Sequence, residues 1–162
     1  MKVFGIAGWS NSGKTTLIER LLPLLAARGL RVSIVKHAHQ KFDIDRPGKD
    51  SFRFREAGSH EVLISSPARW ALMREHHGAP EASLPELLSH LSPCDLVLVE
   101  GFKREAIPKL EVHRVALGKA LLSPDDPSIV AIASDVALEV GLPQYRLDEI
   151  DQIADAIQHA AR

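Results

Sequence analysis

Cysteine is nearly missing from this chain: Cys94 is the only thiol in 162 residues. An internal disulfide is therefore excluded, and Cys94 reads as a small buried hydrophobe beside a strand. An excess of either charge is also lacking. The formal net charge is −1, with basic and acidic residues interspersed and no long block of one sign, so neither a nucleic-acid stripe nor an electrostatic membrane patch is expected. Aromatic residues make up only 5 % of the chain, and Phe42, Phe52, Phe54 and Trp70 are assigned to packing rather than base stacking. Long apolar runs are missing too. The N-terminal run is interrupted by Gly5 and Gly8, which suits neither a signal peptide nor a membrane span. With the single thiol, this predicts a cytoplasmic protein with no nucleic-acid or membrane partner.

What the sequence does contain is Gly8-Trp9-Ser10-Asn11-Ser12-Gly13-Lys14-Thr15, which fills every fixed position of G-x-x-x-x-G-K-[ST]. The glycines let backbone N–H groups turn inward around a β-phosphate, Lys14 reaches the β/γ oxygens, and Thr15 offers its hydroxyl to Mg²⁺. A helix starting directly afterwards turns its partial positive end toward the same anion.

The length suits a single nucleotide-binding domain over residues 1–162. Leu17, Ile18, Leu21, Leu22 and Leu25 recur at helical spacing before Gly29, predicting a first helix over 14–28 that bends or breaks at Pro23. Val32 to Val35 reads as a short buried strand parallel to the first. Residues 37–51 turn polar and suit a mobile connection near the phosphates. A short helix over 51–57 ends at Gly58, and 61–64 with 70–73 flank Ser65-Ser66-Pro67-Ala68-Arg69 as a hairpin. Its free edge would let two copies join across a two-fold axis.

Ser83-Leu84-Pro85-Glu86 has the capping-box form ahead of Leu87, Leu88 and Leu91. Leu96 to Val99 is too short for a globular helix and reads as a buried strand delivering Glu100-Gly101 at its C-terminal end. Strands are expected at 110–112 and 129–133, and a closing helix through Ile150, Ile153, Ala154 and Ile157 capped by Asp148. The fold class is α/β, a three-layer P-loop NTPase fold with a mostly parallel sheet, helices on both faces and an antiparallel hairpin.

Glu100 stands where a second acidic residue would hold Mg²⁺ or its bound water. Asp95, at the other end of the same strand, reads as a solvated edge residue. Asp43, Asp45 and Asp50 are either solvated turn residues or outer-shell metal contacts, and Asp50 is the choice if one participates. His37 and His39 could form a metal clip, but nothing completes the set. Arg53 and Arg55 are read as a solvated helix face in preference to arginine fingers. Lys103 and Arg104 are open between phosphate contact and surface solvation. Asp135 has two readings: acceptor for guanine N1–H and its exocyclic amine, or a helix N-cap.

Val35-Lys36-His37-x-His39, Asp43-x-Asp45-x-Pro47-Gly48-Lys49-Asp50-Ser51, Ala57-Gly58 and Leu98-Val99-Glu100-Gly101-Phe102-Lys103, together with Gly8 to Thr16, resemble the MobB family of molybdopterin-guanine dinucleotide biosynthesis adaptors. That resemblance implies a GTP-binding protein with weak GTPase activity, usually a homodimer. It would assist the guanylyltransferase MobA in converting molybdopterin cofactor to its guanine dinucleotide. It further implies a phosphate site over Gly8, Trp9, Ser10, Asn11, Ser12, Gly13, Lys14, Thr15 and Thr16, Asp50 and Glu100 beside the metal, and Asp135 as guanine reader. Ser134-Asp135 is not the Asn-Lys-x-Asp signature of the regulatory GTPases. A small-molecule kinase, which would need a basic lid, and a metallochaperone GTPase, which would use His37 and His39, are the competing readings.

Overall fold

The computed structural model describes residues 1–38 and 42–162; His39, half of the suggested metal clip, lies outside the described residues. The chain separates into two compact units, one made of Met1–His37 and Leu84–Arg162, the other of Ala38–Ser83.

In the first unit, β1 (Lys2–Ala7), β2 (Val32–Lys36), β5 (Leu96–Glu100), β6 (Lys109–His113), β7 (Ile129–Ser134) and β8 (Gln144–Arg146) form one sheet. Its order is β2-β5-β1-β6-β7-β8, and every pairing is parallel. β5 lies between β1 and β2 and all five of its residues are buried, which is why it reads as an unbroken apolar run. Alternate residues of the central strands serve opposite faces. Phe4, Ile6, Leu96, Leu98, Leu110 and Val112 pack with Leu17, Ile18, Leu21 and Leu25 of α1 (Lys14–Ala27) and Ile153, Ala154 and Ile157 of α4 (Ile150–Ala160). Val35, Val97 and Val99 pack on the other face with Leu84 of α3 (Leu84–Ser89). Helices thus cover both faces, as the α/β reading requires.

Three local expectations are revised. α1 runs through Pro23 as one helix, so the chain does not break there; Pro23 is on the exposed side, so the carbonyl of Glu19 that loses its backbone donor is turned toward water. Asp148 does not cap α4. Glu149 holds the N-cap position without a side-chain bond, and the Asp148 carboxylate accepts from Arg146 Nε at 3.0 Å instead. β8, only three residues long, was not anticipated, because Gln144-Tyr145-Arg146 carries no apolar run.

The second unit contains α2 (Asp50–Glu56) and the antiparallel pair β3 (Glu61–Ser65) and β4 (Trp70–Arg74). The expected hairpin is therefore present, each strand one residue longer than expected, with Leu63 opposite Leu72 and Ser65 opposite Trp70. Packing was the wrong role for three of its aromatic residues: Phe42, Phe54 and Trp70 are mainly exposed. Arg55 is not a solvated residue either. Its guanidinium donates to Asp43 at 2.8 Å, Asp45 at 2.7 Å and Glu75 at 2.7 Å, and lies over the Phe52 ring. Those bonds, to Glu75 first and then to Asp45 and Asp43, raise its pKa further and hold Asp43 and Asp45 as members of an ion cluster rather than free turn residues.

Candidate functional site

The C-terminal ends of the parallel strands converge, as ligand sites of open α/β sheets require. β1 ends at Ala7 and the phosphate loop follows; Gly8 has φ 144°, Asn11 65° and Gly13 100°. Glycine is needed at Gly8 for a second reason. A Cβ there would stand 2.5 Å from the carbonyl oxygen of Val112 on β6. Ser12 N–H donates to Trp9 O at 3.2 Å and closes the loop, and Leu17 N–H donates to Gly13 O to begin the helix.

α1 begins at Lys14 with Gly13 as its N-cap and no side-chain cap. Its first amides therefore face outward without an intrahelical acceptor. Ser12 Oγ is buried and has no hydrogen-bond partner among the described residues. Orphan donors and a helix N-terminus at one place suit an anion.

The side chains complete that reading. Lys14 Nζ folds over the loop and donates to Gly8 O at 3.1 Å and Trp9 O at 2.8 Å. Burial pulls its pKa below the ordinary lysine value; Glu100 opposes this, while the charges of Lys103 and Lys36 add to it. Thr15 Oγ1 stands 3.4 and 3.5 Å from the two Glu100 carboxylate oxygens. These are long separations for a hydroxyl hydrogen bond, and they place hard oxygen donors from β5 and α1 together, a set that fits Mg²⁺. Lys36, ending β2, reaches Glu100 Oε2 at 3.3 Å.

Two cations at this edge were not assigned from the sequence. Lys36 partners Glu100, and Arg114, the residue after β6, donates from Nε to Ser12 O at 3.0 Å with its guanidinium behind Gly13. Each directly ends or follows a parallel strand, and that position was the available signal. Lys103, left open above, has its ammonium 4.4 Å from the centre of the Trp9 ring.

The remaining candidates fall elsewhere. Asp135, exposed at the end of β7, accepts from Val115 N–H at 3.1 Å, the first residue of a short 3₁₀ turn over Val115–Leu117. No helix directly follows it, so an N-cap for a succeeding helix is not its role. Asp50 opens α2 in the second unit, exposed and 3.9 Å from Arg53. His37 packs its ring on Phe102 at 4.9 Å. Asp95 accepts from Arg31 N–H at 2.7 Å at the far end of β5. Among the described residues no group of three or more His, Cys, Asp or Glu side chains is arranged to hold a metal, and no helix is long and apolar enough to cross a membrane.

Comparison with known proteins gives the same direction. The family model described as molybdopterin guanine dinucleotide synthesis protein B, MobB, matches residues 3–135. A molybdopterin-guanine dinucleotide biosynthesis adapter protein of Haemophilus influenzae is 43 % identical over 97 % of this chain and 88 % of its own length. The Escherichia coli protein of the same name is 39 % identical over 96 % and 90 %. A crystal structure of molybdopterin-guanine biosynthesis protein B superposes with a TM-score of 0.73 at 30 % identity, covering 97 % of this chain and 98 % of that one. The Bacillus subtilis MobB structure, at 24 % identity and a TM-score of 0.75, speaks for the fold alone. With its phosphate loop, its parallel sheet and these relatives taken together, the chain belongs to the MobB family.

Proposed function

We propose that this protein is a GTP-binding accessory factor of molybdenum cofactor biosynthesis, assisting a MobA-like guanylyltransferase as it converts molybdopterin to its guanine dinucleotide. The names of its relatives support the pathway. The observation that carries nucleotide binding is the meeting of Thr15 and Glu100 at the uncapped N-terminus of α1. In this reading residues 1–162 work in the cytoplasm as one nucleotide-binding domain with Ala38–Ser83 as an insertion, and two copies associate as a homodimer.

Amides of Gly8 to Thr16 surround the phosphates, with Lys14 on the β/γ oxygens and Arg114 reinforcing the loop from behind. Thr15 and Glu100 hold Mg²⁺, which screens phosphate charge when bound. Asp135 keeps acceptor capacity beyond its bond to Val115 and reads guanine, whose adjacent N–H donors adenine does not present in that pattern. Turnover is slow. Glu100 pairs with the Lys36 ammonium and stands beside the Thr15 hydroxyl, a placement that engages it on the metal side rather than as a base set against water.

Titration calorimetry with GTP, GDP and ATP in magnesium buffer tests the binding, and GTP hydrolysis measured with and without the guanylyltransferase tests the accessory role. GTP preference and slow turnover by the isolated protein are the expected results. Fast hydrolysis without the partner would sink the accessory reading.

A further inference from the structure

Lys103 has no catalytic or binding assignment in the reading above, yet its environment is built with some care. Trp9 occupies the second position of the phosphate loop, and its indole Nε1 donates to Ala120 O at 2.7 Å. This bond, to a segment 111 residues away, fixes the plane of the ring. The Lys103 ammonium lies 4.4 Å from the ring centre, and that of Lys119 lies at 5.9 Å. Half-buried as it is, Lys103 Nζ has no hydrogen bond or ion pair to a described residue. Its resting contact is the π face alone, which is weaker than a charge-assisted bond to an anion.

The main chain that carries Lys103 is fixed as well. Gly101 has φ 93° with no room for a Cβ, which would stand 2.8 Å from His37 Cβ, and Phe102 has φ 43° with its ring against His37. A non-glycine residue in the left-handed region is retained where its surroundings over-determine it, a pattern frequent at functional sites. The Lys103 carbonyl accepts from the buried Lys109 ammonium at 3.1 Å, which in turn pairs with Asp126 at 2.8 Å.

The end of the phosphates that Lys103 faces follows from Lys14. The lysine that serves the β and γ oxygens of such a loop rests on the carbonyls of Gly8 and Trp9, so the Gly8-Trp9 edge is the terminal-phosphate side. One residue, Trp9, thus holds two ammonium groups, Lys14 on its carbonyl and Lys103 on its indole. The mutual repulsion that helps to depress the Lys14 pKa is in accord with this proximity.

We propose that Lys103 is a second phosphate-binding cation, held ready by the Trp9 ring and transferred to the terminal phosphate of a bound nucleoside triphosphate, so that this pair sets the preference for triphosphate over diphosphate. The inference rests on the nucleotide-binding reading given above. A γ-phosphate offers Lys103 a charge-assisted bond that the indole cannot match, whereas a diphosphate ends short of it and leaves Lys103 on the ring.

The test is competition binding of GTP, GDP and GMP to the full-length wild type and to Lys103→Ala, Lys103→Arg, Trp9→Leu and Lys14→Ala variants. Lys103→Ala is expected to weaken GTP by about tenfold and GDP by less than about twofold, with Lys103→Arg restoring most of the loss. Trp9→Leu, which removes the platform, should reproduce the selective loss in part. Retained GDP affinity shows that a variant is folded, so the assignment does not depend on Trp9→Leu alone. Equal weakening of GTP and GDP in Lys103→Ala, or no weakening of either, overturns the proposal while Lys14→Ala still abolishes binding in support of the loop. Wild-type protein that binds none of the three nucleotides overturns both readings.

Discussion

Lys14 sits at the balance point of the site. Burial lowers its pKa, Glu100 pulls it back up, and Lys103 and Lys36 push it down again. A bound phosphate adds negative charge next to the ammonium and must raise that pKa, so nucleotide binding and protonation are linked. GTP affinity should therefore be constant through neutral pH and fall on the alkaline side, starting below the pH at which an ordinary lysine titrates. Lys14→Arg, which cannot lose its proton, should bind more weakly at neutral pH but without that alkaline fall. Calorimetry at a series of pH values reads both slopes; a wild-type curve flat to the titration range of free lysine would count against the depressed group. Gly8, Lys14, Thr15 and Glu100 were legible from sequence because a motif and a strand end fix their places. Arg114 was not, since a lone arginine after a strand has no signature until the sheet order sets β6 beside β1.

Strand β6 serves the site by its main chain, whose Val112 carbonyl lies against Gly8, and by what its side chains hold. Leu110 and Val112 join the core on the α1 face, while Lys109, Glu111 and His113 alternate with them and are buried too. Such a strand breaks the apolar pattern, and only its middle, 110–112, was visible as an expectation. The carboxylate of Glu111 accepts N–H bonds from Leu122 at 2.7 Å and Ser123 at 2.9 Å, and Lys109 pairs with Asp126, so the segment carrying Ala120 is fastened to the sheet by ions. Burial pushes the Asp126 carboxyl up, but the Lys109 ammonium and Ser128 N–H outweigh it and leave its pKa below the ordinary value. A carboxyl depressed in the folded state stabilises at pH values above its unfolded pKa, and that contribution disappears as pH falls through the folded one. Asp126→Ala would leave the Lys109 ammonium, 1 % exposed, without its counter-ion. The expected loss is about 3 kcal/mol at pH 7, shrinking in acid where wild-type Asp126 is itself protonated. Urea midpoints at the two pH values decide the matter, and equal midpoints for variant and wild type at pH 7 would show the pair to be dispensable.

For the whole molecule, what needs explaining is the apolar surface of the second unit. β3 and β4 form a sheet of two strands, and an isolated pair of that size is marginal in water. Leu63 and Leu72 face each other across the ladder and Trp70 stands opposite Ser65; Leu63 and Trp70 are 61 % and 63 % exposed. Glu61 and Arg74, bonded at 2.6 Å, occupy the same face at its end. Apolar residues enclosed by a polar margin are the composition of an interface core, and a strand edge unpaired among the described residues supplies main-chain donors and acceptors to a partner strand. A second copy satisfies both at once, because a two-fold axis sets the same edge and the same side chains against themselves. This is the physical case for the proposed homodimer, and it would put the contact on β3 and β4. Charges placed there must then repel across the axis. Leu63→Lys with Trp70→Lys is expected to turn a dimer into a monomer by light scattering at micromolar concentration, while each chain keeps its GTP affinity, since the phosphate loop lies in the other unit. A dimer mass retained by that double variant would move the interface off the hairpin, and a monomeric wild type would remove the homodimer from the proposal, leaving the exposed tryptophan and leucines as a surface for a different partner protein.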